Sequence, residues 1–132
     1  MKRYRRIILL PMLFVLLFAS CSKKATESKQ KVLKPGIVEF KNQSGLQVRL
    51  DSYTHKRNHE SVHIDLFKYI ENGTSYTLRN MIEGGASFKG GDIISIEFRC
   101  YFQSEEMGKT ITLTVDGDEQ ITILKRCTYD IG

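Results

Sequence analysis

Residues 93–102 read Ile-Ile-Ser-Ile-Glu-Phe-Arg-Cys-Tyr-Phe, and this stretch decides the fold. Apolar and polar side chains alternate along it, which is the pattern of a β-strand with one buried face. The alternation predicts that Glu97, Arg99 and Tyr101 point outward. The predicted inward face consists of Ile94, Ile96, Phe98, Cys100 and Phe102.

The same alternation continues on both sides of this strand, and no segment has the spacing of an amphipathic helix. Asn72-Gly73 and Asp116-Gly117 are typical hairpin turns, whereas the polar residues 54–61 indicate a loop. Short strands separated by turns predict an all-β fold, a single small β-sandwich of about seven strands. We expect the strands at residues 37–42, 46–51, 62–70, 75–81, 93–102, 110–115 and 120–127.

The N-terminus has the organisation of a secretory signal. Four basic residues within positions 2–6 precede a run of 12 largely apolar residues at 7–18, and Ala19, Ser20 and Cys21 follow. A helix that crosses a membrane needs roughly 20 apolar residues. Cleavage of this segment is therefore favoured over a permanent span.

The stretch Leu17-Phe18-Ala19-Ser20-Cys21 resembles the lipobox of bacterial lipoproteins, in the relaxed form of the Bacteroidetes. The resemblance implies cleavage before Cys21 and diacylation of its thiol, and an ordinary secretory signal cleaved near Ala19 is the alternative. We therefore expect a signal peptide at residues 1–20, the lipidated cysteine and a flexible tether at 21–35, and the sandwich at 36–132.

A second resemblance concerns the folded part of the chain. Residues 91–98 and 110–117 resemble small immunoglobulin-like lipoproteins of gut Bacteroidetes. This likeness implies an immunoglobulin-like sandwich and carries no functional motif.

The residues after Cys21 bear on location. Ser22 is not acidic, which in the lipoproteins it resembles favours the outer membrane, and Lys23 and Lys24 favour its periplasmic face. Residues 22–34 are polar and read as a solvated tether, with an end-to-end distance of roughly 20 Å. We expect a protein held on the membrane by its N-terminal lipid.

The net charge of +5 overstates how basic the exported protein is. Four of the 20 basic residues lie in the signal, so residues 22–132 carry 16 basic and 15 acidic side chains. No basic block remains, and nucleic-acid binding is not expected.

Cys100 and Cys127 are an even pair in a chain that is expected to be exported, which suggests a disulfide. Each has the period-2 parity of inward apolar residues, so both can meet in the core. Two buried free thiols, which pack as small apolar groups, are the alternative.

Residues 59–63, His-Glu-Ser-Val-His, match the H-E-x-x-H signature of zinc proteases, and His55 lies four residues earlier. The signature needs a helix, but residues 64–70 alternate like a strand, in which side chains at i and i+4 sit about 13 Å apart. A solvated loop is the favoured interpretation. Metal binding through His55, His59 and His63 is kept as an alternative.

Aromatic side chains offer a different kind of site. Phe67 and Tyr69 fall on the face opposite Ile64 and Leu66, and Tyr101 has outward parity on the longest strand. If they cluster, they form an exposed patch suited to a protein partner or a sugar ring. The alternatives are that both faces of the third strand are covered or that the tyrosines lie singly.

The function that these patterns favour is a non-enzymatic cell-envelope lipoprotein, a protein-binding accessory subunit of an outer-membrane assembly. Apart from the match at residues 59–63, no catalytic or cofactor motif is visible in the sequence, which has neither a nucleophile elbow nor a phosphate-binding glycine loop. A glycan-binding accessory lipoprotein of a nutrient-uptake system is the first alternative. A metal-binding protein is the second.

Overall fold

Two β-sheets make up the part of the chain described by a computed structural model, residues 32–132. The signal, Cys21 and most of the expected tether lie outside the described residues. No helix within residues 32–132 is long and apolar enough to span a membrane. The strands are β1 (Gly36–Asn42), β2 (Gln47–Arg57), β3 (Glu60–Ile70), β4 (Ser75–Thr77), β5 (Ser87–Phe88), β6 (Ile93–Tyr101), β7 (Glu106–Thr114), β8 (Glu119–Leu124) and β9 (Thr128–Ile131).

The strand order defines the two layers of the sandwich. One sheet has the order β3-β2-β6-β7, with all neighbours antiparallel. The other has the order β4-β1-β8-β9, in which β1 and β8 run parallel and β5 adds to β1. The predicted all-β sandwich is confirmed, with nine strands in the described residues rather than about seven.

The prediction of a loop at residues 54–61 is wrong, because β2 and β3 are longer than expected and include most of these residues. β2 and β3 continue through this segment as a hairpin, with Arg57 opposite Glu60 and only Asn58 and His59 between them. Asn58 has a φ of 53°, a left-handed conformation that asparagine tolerates better than most residues. Two of its polar side chains, His55 and Arg57, bond to a distant residue, Asp92, whereas residues 58–61 at the tip of the hairpin are exposed.

The two predicted hairpin turns are also corrected. Asn72-Gly73 connects β3 to β4 and Asp116-Gly117 connects β7 to β8, and in both cases the two strands belong to different sheets. A turn dipeptide fixes where the chain reverses, because glycine supplies the positive φ. It does not fix which sheet the next strand joins.

The core lies between the sheets and follows the predicted parity. Ile94, Ile96, Phe98 and Cys100 on β6 are all buried, and the Phe98 ring packs edge-on against Phe40 at 5.4 Å between ring centroids. Other large buried side chains come from both sheets and from the segments between strands: Val38, Val48, Leu50, Tyr53, Leu78, Phe88, Ile111, Ile121 and Ile123.

A disulfide joins Cys100 on β6 to Cys127, which lies in the short 3-10 turn Lys125–Cys127 after β8. Their Cα atoms are 6.0 Å apart and both residues are fully buried. Because β6 and β8 belong to different sheets, the bond ties the two layers together at one end of the sandwich.

The chain enters the sandwich at the opposite end. The glycines there are required by close packing, since a Cβ on Gly90 would lie 2.1 Å from the Leu33 carbonyl oxygen and one on Gly36 would lie 2.1 Å from that of Gly117. β6 starts at this end with Ile93 and finishes at Tyr101. At about 3.3 Å per residue, Tyr101 is roughly 26 Å from the point where the chain enters.

Candidate binding surface

Three aromatic rings and one arginine cluster on the outer face of the four-stranded sheet. We call this set of Arg49, Phe67, Tyr69 and Tyr101 the aromatic patch. The Arg49 guanidinium carbon lies 5.4 Å from the centre of the Phe67 ring and 5.8 Å from that of Tyr101, and the two tyrosine rings are 6.2 Å apart with a tilt of 44°. Phe67 is 59% exposed and Tyr69 is 51% exposed.

Strand order brings these residues together. Tyr69 on β3 is paired with Arg49 on β2, and Tyr101 on β6 is paired with Gln47, two residues before Arg49. Cross-strand neighbours on one face interact directly. The patch is therefore built on three adjacent strands and not on a mobile loop.

A β-bulge shapes the patch at Phe67. Between the pairs Leu50–Lys68 and Ser52–Asp65, the single residue Asp51 of β2 faces two residues of β3, Leu66 and Phe67. Phe67 has a φ of 48°, which is a strained conformation for a bulky side chain and costs on the order of 1–3 kcal/mol. Bulges of this kind redirect a side chain, and here the redirected side chain is the most exposed ring of the patch.

Asp51 fixes the position of Arg49. It is only 8% exposed, and its two carboxylate oxygens accept hydrogen bonds from Arg49 Nε at 2.5 Å and from Arg99 Nε at 3.0 Å. Arg99 also donates through Nη1 to Glu106 Oε1 at 2.6 Å. The hydrogen bond to Asp51 raises the pKa of Arg49, and partial burial raises the pKa of Tyr101 although the charge of Arg49 opposes it.

This network has two consequences for recognition. The hydrogen bond to Asp51 already restricts the Arg49 side chain between the rings, which lowers the conformational entropy that Arg49 would lose on binding. Its charge is balanced within the sheet, since Arg49, Arg99, Asp51 and Glu106 carry two positive and two negative charges. Neighbouring carboxylates thus compensate the charge of Arg49.

An open cleft of about 680 Å³ continues from the patch at Tyr101. Its walls are the turn that contains Gly45 and Leu46 and the loop Phe102–Glu105, at the end of the sandwich away from the incoming chain. The patch and the cleft share Tyr101 and so form one continuous surface.

The two edge strands of the four-stranded sheet, β3 and β7, carry features that disfavour pairing with a further strand. Lys68 on β3 is paired with buried Leu50 and Lys109 on β7 with buried Phe98, so both edge strands carry a lysine with inward parity. The Lys68 ammonium lies 4.7 Å from the centre of the Tyr76 ring of the other sheet. Inward-pointing charges and bulges are devices that prevent pairing with a further strand.

The three histidines do not converge. His55 faces inward and is fully buried. His63 is paired with Thr54, the residue before His55 on β2, and therefore lies on the opposite face of the sheet. His63 is bonded to Thr54 Oγ1 at 2.9 Å and Asp65 Oδ1 at 3.0 Å, and His59 occupies the β2–β3 turn. No group of three or more metal-binding side chains is found within residues 32–132. The hypothesis of one metal ion held by all three histidines does not fit this arrangement.

His55 has a structural role instead, and its assignment to a solvated loop is wrong. Its Nε2 lies 2.7 Å from Asp92 Oδ2, and its ring packs edge-on against Phe88 at 4.8 Å. Arg57 donates to both oxygens of Asp92, at 2.8 and 2.9 Å, and also bonds Glu83. Burial pushes the pKa of Asp92 upward, but the hydrogen bonds from Arg57 and His55 outweigh burial and lower it.

Sequence reasoning found the three rings but missed Arg49 and Asp51. The sequence contained a signal for both. Arg49 has the same outward parity as Gln47, and Asp51 directly follows the alternating residues 46–50. Comparisons of the chain with protein-family models, curated proteins and solved structures found no match.

Proposed function

We propose that this protein is a non-enzymatic lipoprotein of the cell envelope that binds a protein partner through the aromatic patch. In this proposal, lipidated Cys21 holds it on the periplasmic face of the outer membrane, where it serves as an accessory subunit of a membrane assembly. The observation that carries the proposal is the cluster of two exposed rings, Phe67 and Tyr69, and the partly buried Tyr101 around a fixed arginine.

The chemistry of the patch supports a protein partner. Aromatic residues and arginine are enriched in the centres of protein interfaces, and tyrosine and arginine are frequent among the side chains that dominate binding energy. Such side chains bind best when they are held in place before binding. The Asp51 carboxylate does this for Arg49.

The retained strain at Phe67 is a second argument. The bulge holds the backbone of Phe67 at a φ of 48° and leaves its ring exposed, and strained residues of this kind cluster at binding sites. Strained residues persist where the surrounding structure and the function require them.

The placement of the patch is consistent with an anchored protein. Tyr101 is roughly 26 Å from the end where the chain enters, and a tether of residues 22–34 adds roughly 20 Å. The aromatic patch lies at the end of the domain remote from Leu33, and a flexible tether would let it reach a protein of the same envelope.

Glycan binding is the second candidate function, because exposed rings next to a carboxylate are a common sugar-binding arrangement. Here, however, both oxygens of Asp51 are already bonded to arginines. That carboxylate is therefore occupied and cannot accept from sugar hydroxyl groups, so we rank this function below protein binding.

Site-specific crosslinking in intact native cells tests the proposal. p-Benzoylphenylalanine is introduced in place of Tyr69, and in a separate strain in place of Tyr129, which is 45% exposed on β9 in the other sheet. We expect one dominant envelope protein to be crosslinked from position 69 and not from position 129. Mass spectrometry then identifies it.

The control distinguishes a specific partner from abundant neighbours. A Tyr101→Ala substitution in the position-69 strain removes part of the patch and should abolish the crosslink without altering protein levels. Equal crosslinking from positions 69 and 129, or none from either, would contradict the proposal.

A further inference from the structure

We infer that the fold carries a pulling force from the N-terminal end of the domain to the aromatic patch. This inference rests on the proposed function for the source of the force, since there the lipid holds one end of the domain and a partner holds the other. It follows from four elements that connect the two ends: the chain entry, the parallel pair β1–β8, the disulfide and β6.

The chain is fastened where it enters the sandwich. Lys34 donates its backbone N–H to Asp116 Oδ1 at 3.1 Å, and its carbonyl oxygen accepts a hydrogen bond from Gly117 N at 2.8 Å. Ile37, the second residue of β1, donates its backbone N–H to Asp118 Oδ1 at 2.9 Å. The turn between β7 and β8 therefore holds the incoming segment, and a pull on the tether reaches β8 as well as β1.

The strand that follows the entry, β1, is loaded along its own axis. It lies inside its sheet, between β8 on one side and β4 and β5 on the other. β1 and β8 run parallel from the entry end, with five residue pairs from Val38–Glu119 to Asn42–Ile123. The ladder hydrogen bonds cross between the strands. A pull along β1 therefore loads these bonds together in shear and does not open them one at a time.

The disulfide passes the force from β8 to the other sheet. β8 ends at Leu124, at the end of the sandwich away from the entry, and Cys127 follows in the 3-10 turn. Cys127 is bonded covalently to Cys100 on β6, and both residues are fully buried. Cys100 directly precedes Tyr101 in the sequence, so this path ends at the aromatic patch.

A pull in another direction meets less resistance. Glu60 lies at the tip of the β2–β3 hairpin, and this tip is at the entry end of the opposite sheet, because Lys56 is paired with Ile93 at the start of β6. A pull between the N-terminus and Glu60 acts across the strands and separates the sheets from one end. Hydrogen bonds and apolar contacts then break in succession, so each step requires less force.

Single-molecule pulling along these two directions tests the inference. The full chain, in detergent micelles, carries one DNA handle at its N-terminus and a second on p-azidophenylalanine, which replaces Tyr69 in one sample and Glu60 in the other. Magnetic tweezers measure the lifetime of the folded domain at one constant force. Because forced unfolding reports an unfolding rate, we expect the lifetime to be about tenfold longer or more with the handle at position 69.

The ratio of the two lifetimes separates the force path from general stability, because a general loss of stability shortens both. Replacing Cys100 and Cys127 together by alanine should reduce this ratio several-fold, since the covalent link between β8 and β6 is lost. Asp92→Asn is the matched control. It removes the buried partner of His55 and Arg57, which lies off the path, so it should shorten both lifetimes and preserve their ratio.

The outcomes separate this inference from the proposed function. Equal lifetimes in the two directions, or a longer lifetime with the handle at position 60, would overturn the inference. A ratio that the double alanine variant leaves unchanged would overturn it as well, because the disulfide would then not lie on the path. The pulling experiment uses the purified protein without a partner. A partner crosslinked from position 69 together with equal lifetimes would thus leave the proposed function standing without the inference, and a high ratio with no crosslinked partner would do the reverse.

Discussion

Substitutions at Phe67 give the sharpest test of the strained bulge. Phe67→Ala and Phe67→Gly remove the same phenyl ring, so they lose the same packing and differ only at the backbone. At an ordinary strand position, glycine is less stable than alanine by roughly 0.5–1 kcal/mol. At a φ of 48°, the Cβ of alanine costs about 1–2 kcal/mol that glycine avoids. We therefore expect Phe67→Gly to be more stable than Phe67→Ala by about 0.5–1 kcal/mol.

Tyr69 provides the matched control. It lies two residues further along the same strand, is similarly exposed, and is not among the residues with positive φ. Tyr69→Ala should therefore be more stable than Tyr69→Gly by roughly 0.5–1 kcal/mol. Urea unfolding followed by circular dichroism measures all four variants, with the m-value checked for constancy. If glycine is the less stable residue at both positions, the left-handed conformation at Phe67, and the reasoning built on it, is refuted.

Three further predictions concern the framework behind the patch. Replacing Cys100 and Cys127 together by alanine should lower the free energy of unfolding by about 3–4 kcal/mol, because a bridge across a separation of 27 residues restricts the unfolded chain; an unchanged urea midpoint would contradict this. Asp92→Asn should cost about 3–5 kcal/mol, since it removes the carboxylate that pairs buried His55 with Arg57. Because folding lowers the pKa of Asp92, its contribution to the free energy of unfolding is complete above the unfolded pKa of about 4 and is lost as the pH falls through the folded pKa. The difference in free energy of unfolding between the unaltered protein and Asp92→Asn, measured in urea, should therefore shrink below about pH 4. A difference that stays constant with pH would show that the carboxylate is not the cause. Lys109→Val should make the protein self-associate in sedimentation experiments, as it removes the inward charge from an edge strand, whereas a variant that stays monomeric would show that the edge is protected in another way.

Local alternation was sufficient to predict the faces of the strands. The buried side of β6 and the outward direction of Tyr101 follow from parity alone, since successive side chains in a strand alternate. Cys127 was expected inward for the same reason and is buried, but strand parity does not explain its position, because β8 ends at Leu124 and Cys127 lies in the 3-10 turn that follows.

Features that depend on distant residues were not predictable. His55 is buried because Asp92, 37 residues later, lies beside it, and its polar neighbours in the sequence give no sign of that. The clustering of Tyr69 with Tyr101 requires the order β3-β2-β6, which turn dipeptides do not encode. The bulge was hidden as well, because Phe67 is not a residue type that indicates positive φ.

Hydroxyl-radical footprinting of the aromatic patch in native envelopes tests the central claim most directly. The oxidation rates of Phe67 and Tyr69 are compared between intact envelopes and the purified protein, with exposed Tyr129 as the internal reference. The account predicts that Phe67 and Tyr69 are protected several-fold in the envelope while Tyr129 is unchanged. Equal oxidation of Phe67 and Tyr69 in both preparations would mean that nothing covers the patch, and would contradict the account.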